Sequence, residues 1–110
     1  SLYGMRGVPL ADALRTCAAV GYDGVELALM PGYHADPAQL SPADRRTLRQ
    51  QLADNRLSLH GLMENLGEPA ADTAHRSNLD RLRAAAELAH DLAPAAPPPI
   101  ETVLGGRPAE

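Results

Sequence analysis

Three segments of the chain repeat apolar residues with the period of an α-helix. Residues 9–20 carry a face that consists of Leu10, Leu14, Cys17 and Ala18. Residues 41–55 place Leu48 and Leu52 on one face, with Arg45, Arg46 and Arg49 toward water. In residues 73–92, the pattern predicts a buried face made of Leu79, Leu82, Ala86 and Ala89. This spacing is typical of amphipathic helices that pack one face on a core.

Residues with special backbone preferences mark the ends of these helices. Gly21 follows the first helix, where a glycine can enter the left-handed region without a Cβ clash. The second helix has a strong start, because Ser41 can cap it, Pro42 suits its first turn and Asp44 can close a capping box. Four prolines between residues 93 and 99 exclude helix there.

Short apolar segments between the helices predict β-strands. We expect strands at 24–29, 57–62 and 100–104, and we interpret residues 1–4 as the tail of another strand. Alternating strands and helices at this spacing predict a parallel sheet with right-handed crossovers. No dinucleotide-binding glycine fingerprint and no phosphate-binding loop occurs in the sequence, so a barrel is the better expectation.

The expected fold is an incomplete (β/α)₈ barrel. A whole barrel of this kind needs about 250 residues. The chain has 110 residues and supplies about three βα units and a fourth strand. We therefore expect residues 1–110 to be the N-terminal part of a TIM barrel, with the remaining strands elsewhere.

Two polar residues inside the predicted strands are the candidate site residues. Because side chains alternate along a strand, Val25 and Leu27 share one face and Glu26 takes the other. By the same alternation, His60 lies opposite Leu59. The apolar faces must meet the helices, so Glu26 and His60 are expected to point into the barrel near the carboxyl ends of their strands, where barrel active sites are built.

Charge and cysteine content limit the classes of partner and the cellular compartment that we expect for this chain. The net charge is −4, whereas nucleic acid and anionic membranes bind basic surfaces. The single cysteine, Cys17, cannot form an internal disulfide and is typical of a reducing cytoplasm. No apolar run approaches the ~20 residues of a membrane span. We expect a cytoplasmic protein with a small-molecule ligand, no nucleic acid or membrane partner, and self-association through exposed sheet edges.

The sequence Gly21-Tyr22-Asp23-Gly24-Val25-Glu26-Leu27, followed by Leu59-His60-Gly61 and Val103-Leu104-Gly105-Gly106, resembles the xylose isomerase-like TIM-barrel superfamily. Within it, the chain is similar to the sugar phosphate isomerase/epimerase group. The resemblance covers nearly the whole chain but only the first half of the family's barrel.

The resemblance implies an enzyme that moves a proton beside a sugar carbonyl with a divalent metal, Mn, Mg, Co or Zn. The family's metal ligands and catalytic carboxylates lie on later strands, so no catalytic or metal-binding residue is assigned here. Glu26 and His60 are expected to bind substrate. The isolated chain is expected to be inactive and to hold no metal tightly.

Two other interpretations remain open. The segment from His60 to Gly67 resembles the metal-binding stretch of apurinic endonucleases of the endonuclease IV type. However, Leu104-Gly105-Gly106 stands where those enzymes carry a second histidine. The chain could also be a truncated, non-catalytic barrel module.

Among the remaining polar residues, Glu64 is a further ligand candidate from the loop, and His34 is expected to be a solvated loop residue.

Overall fold

The computed structural model of the protein describes residues 1–66 and 72–102. A short 3₁₀ helix, Leu2–Met5, comes first. The helices and strands that follow are α1 (Leu10–Val20), β1 (Gly24–Ala28), α2 (Pro42–Asp54), β2 (Ser58–Met63), α3 (Asp72–Leu92) and β3 (Ile100–Glu101).

The three strands form one parallel sheet in the order β1-β2-β3. The α/β class, the parallel sheet and all three predicted helices are therefore confirmed, with helix ends within one residue of expectation. The first predicted strand is wrong, because residues 2–5 form a 3₁₀ helix that Ser1 caps by accepting a hydrogen bond from the Tyr3 amide. Residues 103 and 104 of the last predicted strand lie outside the described residues.

The predicted helix ends are present in the structure. Gly21 ends α1 in the left-handed conformation, with φ of 102°. At the start of α2, the Ser41 hydroxyl accepts from the Asp44 amide, and the Asp44 carboxylate accepts from the Ser41 amide, both at 3.0 Å. Hydrogen bonds to the Asp44 carboxylate from the Ser41 backbone amide, and from the Ser41 side chain, lower the pKa of Asp44, since they favour its charged form.

One face of the sheet packs with the helices around a leucine- and alanine-rich core. Its largest fully buried side chains are Leu2, Leu14, Leu27, Leu29, Leu48, Leu62 and Leu88. Val25, Leu27 and Leu57 are buried in this core and Leu59 packs against it, as the strand pattern predicts. Cys17 is also a core residue.

The predicted buried face of α3 is wrong in part. Leu79 and Ala86 are exposed, whereas Ala89 is buried as expected. The face that enters the core consists of Ala85, Leu88, Ala89 and Leu92. Alanine occupies both sides of this helix, so the apolar pattern by itself allows two faces, and the packing on the sheet selects one of them.

A β-bulge interrupts the pairing of β1 with β2. Val25 pairs with Leu59, but the next residue, Glu26, pairs with Gly61, so His60 is the extra residue on β2. A bulge bends the strand and resets the alternation of its side chains. This irregularity determines which side chains share the face opposite the helices.

Within residues 1–66 and 72–102, no helix combines the length and the apolar character that a membrane crossing requires.

Candidate functional site

The sheet face opposite the helices brings together three polar side chains from three strands. A side chain placed on Gly24 would run into the imidazole of His60, so His60 lies over β1 on this face. A Cβ on Gly61 would lie 3.2 Å from the Glu101 Oε1 atom and 3.6 Å from the Glu26 Cγ atom. Glu26, His60 and Glu101 therefore share one face, which we call the polar face.

The bulge explains how β2 contributes two consecutive residues to this face. In a regular strand, His60 and Gly61 would point to opposite sides of the sheet. With His60 as the extra residue, Leu62 still turns into the core, and both His60 and Gly61 are directed to the polar face. The position predicted for Glu26 and His60 relative to the helices agrees with the structure.

Glu26 and Glu101 form a hydrogen-bonded carboxyl pair. The bond with Glu101 is the main reason that the pKa of Glu26 lies below its ordinary value, and hydrogen bonding by the Ser1 side chain lowers it further. The same bond, with repulsion from the Glu26 charge, raises the pKa of Glu101. These opposite directions mean that Glu101 takes up a proton before Glu26 as pH falls, and the protonated Glu101 can then donate to the Glu26 carboxylate.

The pair lines a small open cleft at the carboxyl edge of the sheet. The cleft has a volume of about 170 Å³, and its walls also include Met63 and Thr102. Two carboxyl groups with different proton affinities can accept and donate hydrogen bonds at the same point. The imidazole of His60 lies exposed on the same face and adds ring nitrogens that can donate or accept a hydrogen bond.

Glu101 is a functional candidate that the sequence interpretation misses. Its signal is weak, since a single charged residue after Ile100 is common at a strand end. Only the pairing of β3 with β2, in which Glu101 lies opposite Met63, places it beside Glu26.

Glu64, the loop candidate, lies away from the polar face. It is the first residue after β2, is only 2% exposed, and accepts a hydrogen bond from the Arg81 Nη2 atom at 2.5 Å. The two residues border a cavity of about 290 Å³ between the loop after β1 and α3. Glu64 is therefore the buried partner of Arg81 and not a partner for His60, because side chains alternate and Glu64 takes the helix side of the sheet with Leu62 while Met63 takes the polar face.

Two further expectations about polar residues are corrected. His34 is half-buried, and its Nε2 atom makes a 2.5 Å hydrogen bond with the Val8 carbonyl, so it is not a solvated loop residue. Arg45 does not simply face water, because it donates to Asp91 of α3 at 2.7 Å and to the carbonyl oxygens of Leu40 and Pro37. The contacts between His34 and Val8 and between Arg45 and Asp91 join segments far apart in sequence, and local sequence patterns do not reveal such contacts.

The described residues do not complete a metal site of the kind that the family resemblance implies. Residues 1–66 and 72–102 contain no group of three or more histidine, cysteine, aspartate or glutamate side chains that could hold an ion. Glu26 and Glu101 offer two oxygen ligands, whereas a catalytic divalent site generally uses about three protein ligands. We therefore assign no metal-dependent step to these residues.

No protein-family model matches the chain, and neither a curated protein nor a solved structure matches it.

Proposed function

We propose that this chain is the N-terminal part of a sugar or sugar-phosphate isomerase/epimerase barrel, and that the polar face is the part of its substrate surface that this chain contributes. The observation that supports the proposal is the Glu26–Glu101 pair, which lies opposite the helices at the carboxyl edge of a parallel sheet. Active sites of (β/α)₈ barrels are built at that edge.

The chemistry of the polar face suits a polyhydroxylated ligand. A sugar hydroxyl can donate to the Glu26 carboxylate, and a second sugar hydroxyl can donate to Glu101 or accept from it when it is protonated, so one sugar can bind both carboxyl groups. The exposed imidazole of His60 can donate to or accept from another hydroxyl. An anionic group directly at the pair is disfavoured by the charge of Glu26, so a phosphate would bind elsewhere on the substrate.

The reaction class rests on the family resemblance. In an isomerase or epimerase, a base removes the proton on the carbon beside the carbonyl, and an acid returns it to the neighbouring carbon or to the opposite side of the same carbon. We place that base, and the divalent metal, on strands that follow this chain. Glu26, Glu101 and His60 bind and orient the sugar for this transfer.

The test uses a polypeptide in which this chain is joined to the strands that complete its barrel. Incubated with a ketose in D₂O and Mn²⁺, the polypeptide should exchange deuterium into the carbon beside the carbonyl, detected by NMR even without net conversion. Glu26→Gln and His60→Ala should raise KM, while the unfolding temperature of each variant stays close to that of the wild type. Absence of exchange with aldoses and ketoses of five and six carbons would contradict the proposed reaction.

A second candidate, a non-catalytic module that assembles with itself, is favoured by the open sheet. Among the described residues, β1 and β3 are the outer strands, and each has a side without a strand partner. Unprotected strand edges pair readily with other chains. Deuterium exchange by the completed polypeptide distinguishes the candidates, since the module predicts no exchange, whereas both candidates predict concentration-dependent oligomers of the isolated chain.

A further inference from the structure

We propose that Gly61 is a positioning residue of this surface: the space left by its missing side chain lets Glu26 and Glu101, from the two outer strands, meet across β2 and contact one sugar hydroxyl together. The inference rests on the proposed function for its ligand, but its central contact can be tested without any sugar.

The space above Gly61 is the reason for this assignment. β2 lies between β1 and β3, so the side chains of Glu26 and Glu101 can meet only by crossing over the middle strand. They cross at Gly61, where a Cβ would lie 3.2 Å from Glu101 Oε1 and 3.6 Å from Glu26 Cγ. An alanine Cβ would require the Glu101 carboxyl to move by a few tenths of an ångström, and a larger side chain would take up more of the space in which the two carboxyl groups meet.

The backbone at this position does not itself require glycine. Among the described residues, the glycines with positive φ are Gly21 and Gly32, and Gly61 is not one of them. A side chain at Gly61 would also not collide with main-chain atoms, because the nearest atoms belong to the two glutamate side chains. The missing Cβ is therefore explained by the carboxyl pair and not by strain in the strand.

The bulge is the second part of the arrangement. It turns Gly61 to the polar face, opposite Glu26 in the register of the strands. In an unbroken register, His60 would pair with Glu26, and its imidazole would block the crossing point. The extra residue instead leaves the imidazole over Gly24, which is itself free of a side chain.

Few other charged groups face the pair. The Ser1 hydroxyl lies on the Glu26 side and favours its carboxylate. Met63 and Thr102 line the cleft without charge, and His60 lies on the same face over Gly24. The contact with Glu26 is the main cause of the raised pKa of Glu101.

This arrangement defines what the pair can do with a substrate. A sugar hydroxyl can donate to the Glu26 carboxylate. When Glu101 is protonated, the same hydroxyl can accept from Glu101 in place of the hydrogen bond between the two glutamates. The charge of Glu26 disfavours a ligand carboxylate at this point, so the pair suits a neutral hydroxyl group better than an anionic group.

The experiment is a pH titration of the full chain, followed by NMR of the carboxyl carbons with Glu26 and Glu101 assigned. In the wild type, the two residues should titrate at separate pH values, Glu26 lower and Glu101 higher. Gly61→Ala should bring the two midpoints closer together, and Gly61→Val should bring them closer still. Gly7→Ala, at a position with open space around it, is the matched control and should leave both midpoints unchanged.

The outcomes separate a positioning role from a packing role. Because Glu101 is exposed at the end of a flexible side chain, it can move aside, so Gly61→Ala should fold with little loss of stability. Unchanged midpoints in a folded Gly61→Val chain would overturn the proposal. A Gly61→Ala chain that fails to fold would also overturn it, since the glycine would then be needed for packing. Convergent midpoints without isomerase activity in the completed barrel would refute only the proposed function.

Discussion

Glu64, directly after β2, is buried and accepts a 2.5 Å hydrogen bond from Arg81 of α3. This ion pair fixes the carboxyl end of the middle strand to the helix that follows it. The Nε atom of Arg81 is buried beside it without an acceptor among the described residues, so the guanidinium depends strongly on Glu64. Removing one partner of such a pair leaves a charge in a poorly solvated place.

Glu64→Gln should therefore lower the free energy of unfolding by about 3 kcal/mol. This value is at the lower end of the cost of breaking a buried ion pair, because the Arg81 side chain is 32% exposed. Urea denaturation measures this loss. The matched control is Asp80→Asn, which removes an exposed pair with Arg83 at 3.6 Å and should cost less than about 1 kcal/mol. Equal losses in the two variants would show that the Glu64 pair is not a special contact.

The corrected face of α3 gives a second prediction. Leu88 is fully buried, whereas Leu79 is 38% exposed. Leu88→Ala should cost about 3 kcal/mol, through lost burial and the cavity that remains. Leu79→Ala in the same helix should cost less than about 1 kcal/mol. If chemical denaturation showed a larger loss of stability for Leu79→Ala than for Leu88→Ala, the buried face predicted from the sequence would be the correct one.

The capping box predicts a local loss at the start of α2. Ser41→Ala removes the hydroxyl that accepts from the Asp44 amide and should cost about 1 kcal/mol. Thr47→Ala, at an exposed interior position of the same helix, is the control and should be close to neutral. Thermal unfolding followed by circular dichroism compares them, and an equal fall in both variants would argue against the cap.

The capping box also has a pH signature. Because the folded state lowers the pKa of Asp44, its stabilising contribution is present above the unfolded pKa and is lost as pH falls through the folded value. Asp44→Asn should remove this part of the acid dependence of stability. A curve of stability against pH that keeps its wild-type slope in Asp44→Asn would contradict this origin.

The contribution of Glu101 to folding stability changes with pH in the opposite direction to that of Asp44. The raised pKa of Glu101 means that its contribution is present below the unfolded pKa and is lost as pH rises through the folded value, when two charges face each other. Glu101→Gln keeps a hydrogen-bond donor and removes that repulsion, so it should stabilise the chain at neutral pH and not in acid. Glu87→Gln, at an exposed site on α3, should show no such crossover.

Local patterns in the sequence predict the helices, the strands β1 and β2 and the parallel sheet, because caps and apolar periods act over a few residues. Gly21 and the Ser41–Asp44 capping box are examples, because the residue types and their spacing are enough to predict a helix end or a helix start. The pattern also predicts the face of Glu26, since Val25 and Leu27 must enter the core. Whether the sheet belongs to a barrel is still a prediction.

The missed features all depend on contacts between distant segments. Glu101 meets Glu26 only because β3 pairs with β2 in one particular register. Arg81 is one of several arginines on α3 in the sequence, and nothing local marks it as the partner of Glu64. The bulge at His60 has no marker except the neighbouring Gly61, whose purpose becomes visible once three strands are side by side.

The central claim is that the polar face, and not the larger cavity beside Glu64, is the sugar surface of this chain. The most direct measurement is an NMR titration of the 110-residue chain with D-fructose and D-fructose 6-phosphate, following signals from both places. We predict shifts at Glu26, His60 and Glu101 that disappear in Glu26→Gln, while Asp36 and Arg81, which line the cavity, stay unchanged. Shifts confined to Asp36 and Arg81, or none with either sugar, would contradict the account.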